Sequence, residues 1–472
     1  MASSIKNQSN WSDWLNPVLV KELRQYFHNR GILITMGGLL IAQLLLLIIM
    51  QYRASENASD IYFRNGQMMF MFVAIGMGLA AFLICAVSSL FRFTEERRDR
   101  ELDFSLISTI TPNRIIMGKL LGAFIMFWFI AALTLPFMAI AYFLRGILVY
   151  DMLLFVLSIV PPIMIAVQLG ILMGSAGKRY LYGPYYITMF LFGIYYLIII
   201  ILLSNMIFRT AGRPLAALFI VYTISVLFIG LLYALSVAAI SARQANRMRP
   251  VRLFLLFALV MIPLLGVGFA WLDAQGRLQL ASSMLFAAVL GGGIISAICA
   301  TLAAYERHDP GLRVMLKCPE ESIRRAIYLL TSSGAWGGVA LSAIIMLLTA
   351  GLAWLLWSYE PTMGAVALEW CCPMCFFLFY AYLAVAVSEK QKVLSGWLIW
   401  MFVVIVFLIA PLLLGGIIAI GLKFDSQITL IATPFYGFTD YRYRGVVAYI
   451  GPFLAVLTLF IAVALRKKGV KS

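Results

Sequence analysis

Charge is what this sequence has least of. Only 12% of its 472 residues are Asp, Glu, Lys or Arg, whereas 63% are hydrophobic; a soluble domain carries about 25% charged and about 45–50% apolar residues. Mean hydropathy is +0.97. The polar stretches between apolar runs are too short to house a soluble catalytic domain. Histidine is nearly missing: His28 and His308 stand far apart, which argues against a metal-dependent membrane enzyme. A phosphate-binding loop is absent as well. Gly118-Lys119 and Gly177-Lys178 lack both the upstream glycine and the following Ser or Thr that such a loop needs, so nucleotide hydrolysis in this chain is excluded and no cofactor is expected. No short apolar stretch with a small-residue cleavage site follows the polar first 30 residues, so the first apolar run is expected to stay as an anchor. Of six cysteines, Cys85, Cys299, Cys371, Cys372 and Cys375 lie in apolar runs and Cys318 in a polar loop, which gives no disulfide framework. WCCPMC at 370–375 groups three thiols near one helix face without a second ligand pair, the pattern of packing rather than of a metal site.

Long apolar runs are what the sequence has instead. Twelve are expected to span a membrane as helices, near 31–50, 68–91, 115–143, 152–175, 185–203, 214–240, 253–272, 281–304, 335–357, 370–388, 394–421 and 446–465. The expected fold is therefore an all-α, polytopic membrane protein. Basic residues set its orientation. With the N-terminus inside, the cytoplasmic connections hold 27 of the 36 Lys and Arg residues and the outer ones nine. Both termini are then cytoplasmic, and the net charge of +16 reflects loops facing anionic lipid, not a nucleic-acid partner.

Three regions are expected: a cytoplasmic interfacial helix in 1–30, a six-span unit over 31–252, and six further spans over 253–472 with a cytoplasmic loop at 305–325. In WSDWLNPVLVKELRQYFHNR, Asn16 can cap a helix with Pro17 at its first position. Leu19, Leu23, Tyr26 and Phe27 make its apolar side, with Lys21, Glu22, Arg24, Gln25 and His28 opposite. In the loop 305–325, Glu320 and Glu321 precede Arg324 and Arg325, the order a helix dipole favours, so a second interfacial helix is expected there. Inside the spans, Thr35, Gln43, Thr134 and Gln168 are the mild polar candidates, and Glu369 sits in an apolar neighbourhood. Lys119 is expected to snorkel back to the interface. Pro161-Pro162 is expected to kink or break the fourth span, and Gly291-Gly292-Gly293 to allow close helix approach in the eighth.

The connection 92–114 is the densest polar feature. Glu95, Glu96, Arg97, Arg98, Asp99, Arg100 and Glu101 are all charged, and Asp103 follows. Leu102, Leu106, Ile107 and Ile110 then make an apolar face, which predicts a short helix that stops at Thr111-Pro112, where the third span starts. Four acids against three arginines suit a specific protein partner better than a lipid surface, which favours plain basic residues.

DFSLISTITPNRIIMGKLLGA resembles the corresponding segment of type-2 ABC (ATP-binding-cassette) transporter permeases: a charged stretch, an apolar helix, a Thr-Pro turn, then Ile-x-x-Gly-Lys-Leu-Leu-Gly opening the third span. Here the turn is Thr111-Pro112, and the span start includes Ile115, Gly118, Lys119 and Gly122. NPVLVKELRQ at 16–25 looks like the family's Asn-Pro-x-x-x-Lys-Glu start. The resemblance covers about 1–250. It departs where Arg100-Glu101 replaces the usual Gly-Thr, and in the six extra spans. It implies a permease, most simply an exporter of a bacterial inner membrane, driven by a separate ABC ATPase that grips loop 92–114, with a second permease copy or a related permease completing the assembly. The rival readings are a non-transport membrane scaffold and a secondary carrier; the apolar interior argues against the carrier.

Overall fold

The computed structural model describes residues 16–56, 62–98, 110–143, 148–176, 214–241, 246–272, 280–306 and 312–390. Among these the chain is all-helical, with no strand. It divides into two compact units, Met1–Ser241 and Ala242–Ser472.

Eight described helices are long and apolar enough to cross a membrane: Arg30–Ile49, Met69–Arg97, Pro112–Phe143, Val149–Ser175, Leu218–Ile240, Arg249–Val267, Ala281–Ala304 and Ala335–Tyr359. The protein is thus a multi-pass membrane protein. Each of the eight coincides with an expected span. The expected spans 185–203, 394–421 and 446–465 lie outside the described residues, and 370–388 falls within a longer helix, Pro361–Lys390.

The first unit holds α1 (Pro17–His28), α2 (Arg30–Glu56), α3 (Tyr62–Ala81), a π-helical turn (Phe82–Val87), α4 (Ser88–Arg98), α5 (Pro112–Phe143), α6 (Val149–Ala176) and α7 (Pro214–Ile240). Its core contains Phe70, Met77, Phe127 and Phe155, with Phe70 meeting Phe155 edge-on at 5.1 Å between centroids. Ile41, Leu44, Leu45 and Ile48 on α2 remain exposed, the apolar face a bilayer would cover. The two prolines Pro161 and Pro162 do not break the fourth span, because α6 runs unbroken through both. Two contacts fix how α6 and α7 lie. Tyr222 Oη donates to the Leu157 carbonyl at 2.7 Å, and Gln168 Nε2 to Ser236 Oγ at 3.0 Å. Low numbers meet low and high meet high, so the two helices run parallel.

The second unit holds α8 (Arg249–Met261), α9 (Pro263–Leu272), α10 (Leu280–Tyr305), α11 (Leu312–Leu316), α12 (Ser322–Thr331), α13 (Ala335–Tyr359) and α14 (Pro361–Lys390). Pro263 separates α8 from α9, since it has no N–H to continue the ladder. The glycines of α10 admit close neighbours: a Cβ at Gly291 would strike the Ile262 side chain and one at Gly292 that of Thr349.

Candidate functional site

The site is built where α1, the end of α4 and the start of α5 meet. Asn16 organises two of the three. Its Oδ1 accepts from the Val18 N–H at 3.1 Å, capping α1, while its Nδ2 donates to the Arg114 carbonyl at 2.6 Å in the first turn of α5. The helices then press together at glycines. A Cβ on Gly118 would lie 2.8 Å from Val18 Cβ, and one on Gly122 would lie 3.2 Å from Glu22 Cβ. No larger residue at 118 would allow α1 to lie this close.

Against that contact lies a cluster of buried charge. Glu22 is 3% exposed and Lys119 5% exposed, and they form a direct ion pair. Arg92 Nη1 donates to Glu22 Oε2 at 2.8 Å, and Lys119 Nζ reaches Glu96 Oε2 at 2.8 Å. Lys21, on the rim, adds a 3.0 Å bond to Glu96 Oε1. The aromatic walls contribute as well: the Arg92 guanidinium stands 3.8 Å from the Tyr26 ring centroid, and the Lys119 ammonium 5.0 Å from that of Phe93. Burial alone would raise the Glu22 carboxyl. Lys119 and Arg92 outweigh that effect and hold it below its usual value. Tyr26, buried, is pushed up to about 12 and stays neutral, within 3.4 Å of Ser89 Oγ.

The π-helical turn explains how α4 delivers its side chains. FLICAV adds a residue to the turn, which rotates everything after it relative to a straight α-helix. Ser89, Arg92, Phe93 and Glu96 then share one face, at i, i+3, i+4 and i+7, toward α1 and α5. α6 follows the turn closely: Cβ atoms at Gly170 and Gly174 would lie 2.8 Å from the Ala86 carbonyl oxygen and from Phe93 Cβ.

Two expectations for individual residues are corrected. Glu22 does not lie on the polar side of α1 but on its buried side with Leu19 and Tyr26, because Lys119 and Arg92 receive it there. Lys119 does not snorkel to the interface, because its ammonium ends on two carboxylates inside the protein. Lys21 and Arg24 are exposed, and Thr111 accepts from the Arg114 and Ile115 amides as α5 begins at Pro112. Within the charged stretch, Glu95 and Arg97 are exposed on α4, and Glu96 is turned onto Lys119 and Lys21. Arg98 ends α4, with its side chain outside the description. Asp99, Arg100, Glu101 and Asp103, and with them the expected short helix, lie outside the described residues. Arg92 is a member that sequence reading did not single out, and Tyr26, expected on the apolar side of α1, was not assigned to a charge cluster. Their signal was present, a cation and an aromatic at the ends of two apolar runs, but nothing local paired them.

The polar residues expected within the spans are bonded in part, and Gln168 Oε1 is buried without a hydrogen-bond partner. Thr134 donates to the Ala131 carbonyl, Thr35 to that of Gly31 and Gln168 to Ser236, whereas the buried amide of Gln43 has no hydrogen-bond partner. Among the described residues, no group of three or more His, Cys, Asp or Glu could hold a metal. Glu369 lies in α14, with its side chain outside the description.

The second unit carries a separate buried charge knot. Arg252, 3% exposed in α8, donates through Nη2 to Glu306 at 2.6 Å and to the Gly334 carbonyl at 2.8 Å. Its Nη1 reaches the Leu330 carbonyl at 3.0 Å and also bonds that of Ser332. The Gly334 amide donates to Glu306, and Gly334 itself has φ 152°, a conformation that favours glycine. Asn246 Oδ1 accepts from the Ser333 N–H at 2.8 Å. Burial pushes the Glu306 carboxyl up, with Arg252 and the Gly334 amide opposing.

Comparison with protein-family models, with curated proteins and with solved structures finds no match for this chain.

Proposed function

We propose that this chain is the membrane-spanning permease subunit of an ATP-driven ABC transporter, an exporter of the bacterial inner membrane coupled to a separate ATPase through the connection 92–114. One observation carries the reading. The two motifs that resemble the type-2 permease family, 16–25 and 111–122, pack on each other through Asn16 with Arg114, Val18 with Gly118, and Glu22 with Lys119. Motifs matching by accident have no reason to meet so intimately across 97 residues of sequence.

The same geometry supports a mechanical role. Both ends of the connection enter the charge cluster, the first through Arg92 and Glu96 and the second through Lys119. A partner that closes on ATP and displaces the connection pulls on α4 and α5 together, and through Glu22 on α1. Buried ion pairs resist shear because separating them leaves unpaired charge in a poor solvent. The cluster is thus a rigid joint that passes movement on. The chain contributes no catalytic residue; hydrolysis belongs to the ATPase, and a second permease copy or a relative completes the conduit.

The test is purification of the tagged chain from its native membrane without crosslinker. The expected result is a co-isolated chain with a Walker motif, whose ATP hydrolysis is stimulated by the permease. Charge reversal at Arg97, Arg98 and Asp99 should abolish that stimulation. Absence of any nucleotide-binding chain from an intact complex would contradict the reading.

A further inference from the structure

The two charge knots occupy matching places in their units. In the first, Glu22 precedes span Arg30–Ile49, Arg92 and Glu96 end span Met69–Arg97, and Lys119 begins span Pro112–Phe143. In the second, Arg252 begins span Arg249–Val267, Glu306 follows span Ala281–Ala304, and the Ser332 and Gly334 carbonyls precede span Ala335–Tyr359. Each knot therefore ties the entry to a unit's first span, the end of its second and the entry to its third. The charge at the centre is reversed, a glutamate in one and an arginine in the other.

The correspondence extends to neighbours that have no charge. Asn16, just before the first unit's α1, bonds the backbone of Arg114 at the start of α5. Asn246, three residues before the second unit's α8, accepts from the backbone of Ser333, two residues before α13. Both α1 and α8 carry proline followed by valine in the first turn, Pro17-Val18 and Pro250-Val251. Both third spans present glycine to the knot. Gly118 and Gly122 lie under α1, and Cβ atoms at Gly337 and Gly338 would lie 2.8 Å and 2.9 Å from the Arg252 guanidinium.

Each knot frames a connection whose sequence mixes apolar residues with charges of both signs. In the second unit it contains α11 and α12, tied together by Tyr328 Oη donating to the Val314 carbonyl at 3.2 Å. Its outer surface exposes Leu316 (83%) and Ile323 (77%). Around them stand Lys317, Glu320, Glu321, Arg324 and Arg325, with Arg324 paired to Glu321 at 3.0 Å. Apolar residues amid charges of both signs fit a protein surface better than anionic lipid, which attracts basic residues alone.

We infer that the second unit repeats the plan of the first, and that α11 and α12 form a second docking element for the same kind of partner, a Walker-motif ATPase. The inference rests on the reading of 92–114 as the first such element. One chain then presents two docking elements, and carries two ATPase chains.

Site-specific photocrosslinking separates the two claims. A photoreactive benzoylphenylalanine is placed at exposed Arg97 or at exposed Ile323 of the full chain, in the native membrane, and adducts are identified by mass spectrometry. Walker-motif peptides captured from both positions, with two ATPase chains per permease chain by native mass spectrometry, are the expected result. Capture from Arg97 alone, or lipid adducts alone at Ile323, overturns the second docking element and leaves the first standing. Capture from neither position overturns both, and capture from Ile323 alone overturns the equivalence. Arg324→Glu with Arg325→Glu, both exposed and outside the knot, is the companion variant: the ATPase ratio should fall from two to one, and an unchanged ratio contradicts the inference.

Discussion

Glu22 touches two cations in a pocket that excludes water, so its removal strands charge instead of merely losing a bond. Glu22→Ala is expected to destabilise the protein by about 3–5 kcal/mol, seen as a lowered unfolding midpoint in detergent. Glu22→Leu combined with Lys119→Met should lose less than the sum of the single changes, because the second substitution removes the cation the first one orphaned. Additive losses would mean that the two residues do not share one site. The pH dependence follows from the lowered carboxyl. The folded value lies below 4.5, so the stabilisation is complete above 4.5 and is lost as pH falls through the lower folded value. The difference in melting temperature between the native chain and Glu22→Gln should be flat from about pH 5.5 to about pH 8 and shrink only in acid. A difference that shrinks near neutrality would contradict this assignment. Glu22 also shows what a sequence hides. Its spacing from Leu19 and Tyr26 places it on the buried side of α1, but a carboxylate reads as solvated until its cation is known. That cation, Lys119, lies in another span.

At the scale of elements, the fit of α1 on α5 depends on two glycines with different room. At Gly118 an added methyl would meet Val18 at 2.8 Å, so Gly118→Ala should cost about 1–3 kcal/mol through overpacking and loosen α1. Gly37 and Gly38, on α2, have nothing within 4 Å. Gly37→Ala should be neutral or should stabilise by up to roughly 1 kcal/mol from helix propensity. Amide hydrogen exchange in α1 is the discriminating measurement: faster in Gly118→Ala, unchanged in Gly37→Ala. Equal exchange in the two variants would show that α1 does not depend on that contact. Much of α1 was legible, because Asn16-Pro17 is a helix start by cap chemistry and fixed φ alone. The π-helical turn was not. FLICAV contains neither proline nor glycine, and one added residue in a membrane helix leaves no trace in hydropathy. Yet that turn decides which side chains of α4 meet α1.

For the whole molecule, hydropathy located the eight described spans well, because a bilayer imposes length and apolarity on any helix that crosses it. The division into two units was legible only as a basic, turn-prone stretch, and it falls at Ser241, which places Arg249 and Arg252 with the second unit. The likeness between the units was not legible at all. Their knots use opposite central charges and different spacings, so beyond an Asn ahead of a Pro-Val pair the shared feature is a pattern of contact. The central claim is that the cluster around Glu22 passes ATP-driven movement from the connection 92–114 into the membrane helices. It is tested most directly by breaking the joint, with Glu22 and Lys119 replaced by Leu and Met in the purified complex and the native chain as reference. The expected result is that stimulated ATP hydrolysis and ATP-dependent movement of α1, followed by a spin label on exposed Arg24, are both lost in the double variant while the ATPase still co-purifies. Full ATP-dependent movement of α1 in that double variant would contradict the claim.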